Sequence, residues 1–160
     1  MVEGCNSREH DMLRQNACQI DRPARVLVVD DYVPWHRIVS VVLRSQPELK
    51  IVGRAFNGME GVQQALRLQP ELVLLDLGLP GLNGMEATRR IREVSRGSTI
   101  LMVSQTWSAD IAESALEIGA SGYVVKSDAY DELIPAITTV LNGKRFLSSS
   151  LRAVTLCSIA

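Results

Sequence analysis

The chain has 160 residues, 17 basic and 18 acidic side chains, a formal net charge of −1 and 46% hydrophobic residues. A near-neutral balance leaves no basic footprint for nucleic acid, no apolar stretch approaches the roughly 20 residues of a membrane span, and the N-terminus lacks the apolar run of a secretory signal. Cys5, Cys18 and Cys157 are an odd number placed near the two ends, which is no disulfide framework, so reduced thiols in a cytoplasmic protein are expected. Cys5, His10 and Cys18 match no familiar zinc spacing. The length suits one domain with a proper core.

Residues 1–24 are polar and mixed in charge, and are expected to form a flexible extension. From about Arg25 apolar runs of strand length alternate with amphipathic stretches of helix length, the pattern of repeated βα units around a parallel sheet. Strands are expected near 25–30, 50–55, 71–76, 99–104 and 121–125, with helices near 34–45, 58–68, 84–94, 108–118 and 130–142. Pro34 suits a first helical turn. Asn-Gly-Met-Glu occurs twice, at Asn57–Glu60 and Asn83–Glu86, each time opening a helix with Asn as cap and Glu placed to bond back to the cap backbone. Leu133, Ile134, Ile137, Val140 and Leu141 make a helical stripe for the sheet, and Gly143 is placed to end that helix. Pro135 conflicts with a helix interior, which predicts a later start or a kinked beginning. Residues 146–160 form a short apolar tail, the start of a linker or of a helix awaiting a partner.

Four of the apolar runs end on chemically useful side chains. Val26–Val29 leads to Asp30 and Asp31, Leu72–Leu75 to Asp76, Ile100–Val103 to Ser104, and Tyr123–Val125 to Lys126. Each alone reads as a strand terminator, a cap or a solvated lysine. In one parallel sheet they gather at the C-terminal edge, where open α/β sheets bind ligands. Two carboxylates about 4 Å apart repel by ~4 kcal/mol at an effective dielectric of about 20. A crevice holding three of them therefore raises their pKa values or recruits a cation, and hard oxygen donors favour Mg2+. A carboxylate beside that ion is a nucleophile toward phosphorus, with Lys126 and Ser104 supplying positive charge and a neutral hydrogen bond.

The stretches Val26–Asp31, Leu74–Glu86 and Gly119–Lys126, in that order, resemble the receiver domains of bacterial two-component response regulators. The resemblance covers residues 25–145 and implies a doubly wound (βα)5 domain of flavodoxin-like strand order 2-1-3-4-5. It implies Asp76 as phosphoacceptor, and Asp31, Asp76 and the carbonyl of Gly78 as Mg2+ ligands, with Asp30 acting through water. Ser104 matches the switch hydroxyl, Lys126 the lysine that pairs with the phosphoryl group, and Tyr123 the aromatic that turns inward. The partner it implies is a histidine kinase or phosphotransfer protein, with a possible homodimer through the fourth helix, fifth strand and fifth helix. Such a chain is a regulator rather than an enzyme, although it catalyses its own phosphotransfer and dephosphorylation. Ser127, where many receivers have proline, and the Gly143–Ser148 ending match the subfamily that precedes a LuxR-type helix-turn-helix; DNA binding would belong to that module and not to this chain. Gln105 stands where a small residue is usual and is placed to restrict access to Asp76.

Two rivals remain. One is a receiver-fold interaction module that no longer depends on phosphorylation. The other is a phosphatase using Asp76, but dehalogenase-type enzymes need a carboxylate where Gly78 stands. Glycine fingerprints for nucleotides are absent. His36 is expected partly exposed at the mouth of the site, and Arg89, Arg90 and Arg92 on a solvated helix face.

Overall fold

The computed structural model describes residues 22–157; the extension expected over residues 1–24, with Cys5, His10 and Cys18, lies almost wholly outside them. Strands and helices alternate as the hydrophobic pattern requires: β1 (Ala24–Val29), α1 (Val33–Arg44), β2 (Leu49–Ala55), α2 (Gly58–Leu68), β3 (Leu72–Leu75), α3 (Gly84–Val94), β4 (Thr99–Ser104), α4 (Ala109–Glu117), β5 (Gly122–Val125), a 3-10 turn (Lys126–Asp128), α5 (Ala129–Leu141), β6 (Phe146–Leu147) and α6 (Ser149–Cys157). All the strand pairings are parallel, in the order β2-β1-β3-β4-β5-β6. Five strands follow the flavodoxin-like order and a short sixth extends it, so β5 is not the edge strand that five strands would make it. Among the described residues, no helix is long and apolar enough to cross a membrane.

Both faces of the sheet are buried, and the two-residue strand period divides them cleanly. Val26, Val28, Leu72, Leu74, Leu101, Val103 and Val124 pack under α1 and α5 with Trp35, Val39, Leu133 and Ile137. Leu27, Val29, Val73, Leu75, Ile100, Met102 and Tyr123 pack on the opposite face with Ala65, Ile91, Ala112 and Ala115 from α2, α3 and α4. Leu151 of α6 joins this second layer and is 1% exposed, so α6 packs on the same fold through that residue. Ser148 secures that tail: its N–H donates to the Tyr123 carbonyl at 3.0 Å and its Oγ accepts from Val125 N–H at 2.9 Å.

The repeated tetrapeptide caps both helices. Asn57 accepts from Glu60 N–H at 2.9 Å and Asn83 from Glu86 N–H at 3.0 Å. The returning glutamates differ from expectation. Glu60 accepts from Phe56 N–H, one residue before the cap, and Glu86 turns outward to Arg89 and Arg90. The glycine of each motif has a steric reason. A Cβ on Gly58 would lie 2.1 Å from the Leu82 carbonyl oxygen, and one on Gly84 would lie 2.3 Å from that of Asp76. Gly84 thus lets α3 begin directly against the backbone of Asp76.

Pro135 lies inside α5, with neither a start beyond it nor a break in the helix. It is on the exposed side, so the carbonyl it leaves unbonded, that of Asp131, is on a residue open to water. Gly143, at φ 79°, closes α5, and Lys144 N–H donates back to the Thr139 carbonyl at 3.1 Å.

Gly84→Ala is expected to lower stability by about 1–3 kcal/mol through forced backbone displacement. Gly97→Ala, whose Cβ would meet nothing within 4 Å, should change it by less than about 0.5 kcal/mol. Urea unfolding of the two variants checks the contrast.

Candidate functional site

The register brings the polar strand ends together. Val29 aligns with Leu75, and Asp76 N–H donates to the Val29 carbonyl at 2.9 Å, so Asp30 and Asp76 leave adjacent strands side by side. Ser104 aligns with Val125, which puts Lys126 next to the end of β4. Ligand oxygens of Asp30, Asp31 and Asp76 all fall within 4.8 Å of one another, with Asp30 and Asp76 buried and Asp31 exposed. Lys126 Nζ lies 2.6 Å from Asp30 Oδ2 and 3.7 Å from Asp76 Oδ1. The Lys126 side chain is 12% exposed and that of Asp30 1%, so this is a partly desolvated ion pair.

Each group is held from behind. Asp30 Oδ1 accepts from Tyr32 N–H at 2.8 Å, while its Oδ2 has the Lys126 ion pair and no further hydrogen bond. The Asp30 carbonyl receives a hydrogen bond from His36 Nε2 at 2.7 Å, and since a carbonyl only accepts, that nitrogen carries a proton. His36 is 4% exposed, contrary to the partly exposed placement its sequence position suggested. It shares the inward face of α1 with Trp35, Val39 and Leu43, and its ring meets Phe56 at 4.7 Å. The spacing from His36 to Val39 and Leu43 carried that signal. Arg89 and Arg90 lie on the solvated face of α3, as expected, paired with Glu86. Arg92 is exposed as well, and donates to the Ser98 carbonyl at 3.1 Å.

A polar cleft of about 320 Å³ opens over these groups, lined by Asp31, Asp76, Gly78, Ser104, Gln105, Thr106 and Lys126 among others. Gly78 sits beside the nucleophile candidate, its Cβ position being 3.7 Å from Asp76 Oδ2. Gln105 stands exposed on the rim. Thr106, which sequence reasoning overlooked, joins the two switch candidates: its N–H donates to Ser104 Oγ at 3.1 Å, and its carbonyl accepts from the Tyr123 hydroxyl at 2.8 Å. The Tyr123 ring is turned inward and fully buried.

Electrostatics follow the geometry. Burial pushes the Asp76 carboxyl above the usual carboxylate range; Lys126 opposes the rise, and the neighbouring charges of Asp30 and Asp31 add to it. Burial likewise raises the Tyr123 phenol, against hydrogen bonds to Ser104 and Thr106. The donor set is carboxylate oxygen throughout, three groups converging within reach of one ion, which fits a small hard divalent cation.

The similarities to known proteins agree with this arrangement. The chain is 34% identical to the nitrate/nitrite response regulator protein NarL of Escherichia coli strain K12 over 137 residues, 86% of this chain and 63% of that protein. A crystal structure of a two-component response regulator of the LuxR family from Aurantimonas sp. SI85-9A1 matches with a TM-score of 0.78 and 34% identity, covering 82% of this chain and 94% of that one. The response regulator domain of Thermotoga maritima CheB matches with a TM-score of 0.69 and 32% identity, over 76% of this chain and 98% of that one. The chain spans about three fifths of the length of the curated relatives it matches. Residues 26–138 match the response regulator receiver domain family, and with the parallel sheet and its acidic edge they establish that the chain belongs to that family.

Proposed function

We propose that this chain works in the cytoplasm as a phosphorylation switch, with Asp76 accepting a phosphoryl group from the phosphohistidine of a sensor kinase or phosphotransfer protein. The observation that carries the proposal is the position of Asp76: a buried carboxylate at the floor of an open polar cleft, with an ammonium 3.7 Å away and two further carboxylates beside it.

Asp31, Asp76 and the carbonyl of Gly78 would hold Mg2+, with Asp30 behind them. The ion, when bound, offsets negative charge on the transferring phosphoryl group. An Asp76 oxygen attacks phosphorus in line, the P–N bond of the donor breaks, and the bonding pair leaves with the imidazole. Lys126 neutralises the phosphoryl oxygens, and Ser104 donates its hydroxyl hydrogen to one of them. Ser104 Oγ accepts from Thr106 N–H and the Tyr123 hydroxyl donates to the carbonyl of the same Thr106, so a shift of Ser104 toward the phosphoryl group would reach Tyr123. The added charge of about −1.5 to −2 is thereby coupled to β5 and the helices beside it. The chemistry is confined to the chain's own aspartate, so the protein acts as a regulator. A homodimer through α4 and α5 is the form in which such a change would be passed on; β5 between them is buried and paired along its outer edge by β6.

Incubation with Mg2+ and acetyl phosphate should add one phosphoryl group by intact mass. The gain should disappear in Asp76→Asn and under chelation. Persistent labelling of Asp76→Asn would falsify the assignment, and an unlabelled wild type that still binds Mg2+ would favour an interaction module independent of phosphorylation.

The raised carboxyl of Asp76 sets a pH dependence. Between its ordinary and raised pKa the folded state holds a proton that the unfolded state has released, so folding stability falls as pH rises through that window. Asp76→Asn removes this contribution. Its metal-free stability relative to wild type should therefore increase from acid to neutral pH in paired thermal melts. Mg2+ affinity runs the other way, weakening as acid protonates the carboxylate, which calorimetric titration at several pH values would read.

A further inference from the structure

Lys126 has a third neighbour besides the two carboxylates. Its Nζ stands over the ring of Trp35, 5.1 Å from the centroid. Trp35 is 5% exposed and lies in the first turn of α1, where its N–H donates to the Tyr32 carbonyl at 2.9 Å and its side chain belongs to the core cluster that includes Val39, Leu133 and Ala129. The indole is thus anchored in the core, while the ammonium it faces sits on a flexible four-carbon stem. The strand period explains the meeting: Lys126 follows Val125, whose side chain points to the α4 face, so Lys126 emerges on the α1 side with Trp35. Lys126 also lines both the polar cleft over Asp76 and the apolar groove walled by Trp35, Ile38 and Val41. Without the aromatic face on the groove side, the stem has room to leave the cleft.

We propose that Trp35 is a positioning residue for the phosphoacceptor site: its indole face keeps the Lys126 ammonium within reach of both Asp30 and Asp76. An ammonium held this way shifts from Asp30, at 2.6 Å, toward oxygens arriving on Asp76, at 3.7 Å, without being shed to solvent. Indole has the strongest ring quadrupole for such a contact, phenyl a weaker one and leucine none. The kinetic part of this inference rests on the phosphoacceptor reading; the positional part stands apart from it.

Two measurements test it. In Trp107→Phe the sole remaining indole is Trp35, because the chain has two tryptophans, so emission reports the ammonium directly. Titrating Mg2+ competes with Lys126 for the carboxylates and should change Trp35 emission, with the change absent once Lys126→Met is added. A response that persists in Lys126→Met, or no response although calorimetry shows Mg2+ bound, overturns the proposal. For the reaction, Trp35→Leu should lower kcat/KM for acetyl phosphate about fivefold and Trp35→Phe less than about twofold, and Trp35→Leu should add no further loss to the residual rate of Lys126→Met. A merely structural tryptophan would cost the same factor in both backgrounds, which counts against the inference. If Trp35→Leu does not fold, Trp35→Phe and the emission titration decide. If wild type takes up no phosphoryl group while the Lys126-dependent emission change is present, the phosphoacceptor reading fails and the positional role holds.

Discussion

Three carboxylates and one ammonium crowded at the end of a parallel sheet are the constraint around which the rest of this molecule is arranged. Bringing Asp30, Asp31 and Asp76 within 4.8 Å of one another is unfavourable, and burial of two of them makes it more so. Lys126 offsets part of the repulsion, yet it lies closer to Asp30 than to Asp76. Asp76 is left with a raised proton affinity and a cleft open to an incoming cation or phosphoryl group.

Holding such a cluster demands a rigid frame. The parallel sheet supplies it, because its strands are covered on both faces and their register aligns Val29 with Leu75 and Ser104 with Val125. Gly84 brings the start of α3 against the Asp76 backbone, and His36 bonds the Asp30 carbonyl from the other side. On the opposite face, Thr106 ties Ser104 to Tyr123, and Ser148 ties the strand of Tyr123 to the C-terminal segment. These hydrogen bonds link the residues at the end of β4, through β5, to the segment that leads into α6. Lys126 and Trp35 meet on the α1 side of the sheet, while Tyr123 is buried on the opposite side.

What could be read along the chain was whatever depends on local spacing. Strand-length apolar runs ending in Asp30, Asp31, Asp76, Ser104 and Lys126 announced both the architecture and the edge where chemistry collects. The Asn caps at Asn57 and Asn83 and the helix end at Gly143 were equally legible, since each is a bond between residues a few positions apart. Pro135 misled because its cost depends on whether the freed carbonyl meets water, which sequence spacing does not state. His36 was misplaced because one residue's shift around a helix separates solvent from core.

The sequence by itself determined the order of elements, the two-faced burial and the identity of the polar groups that end the strands, because periodicity and strand-end residues are properties of neighbouring positions. Only the tertiary structure decided which of those groups share a contact. It placed Lys126 on Asp30 and over Trp35, joined Ser104 to Tyr123 through Thr106, and seated Leu151 in the core beneath α4. Those pairings join residues far apart in the chain, and their distances follow from strand register and helix packing, which exist only once the whole sheet has formed.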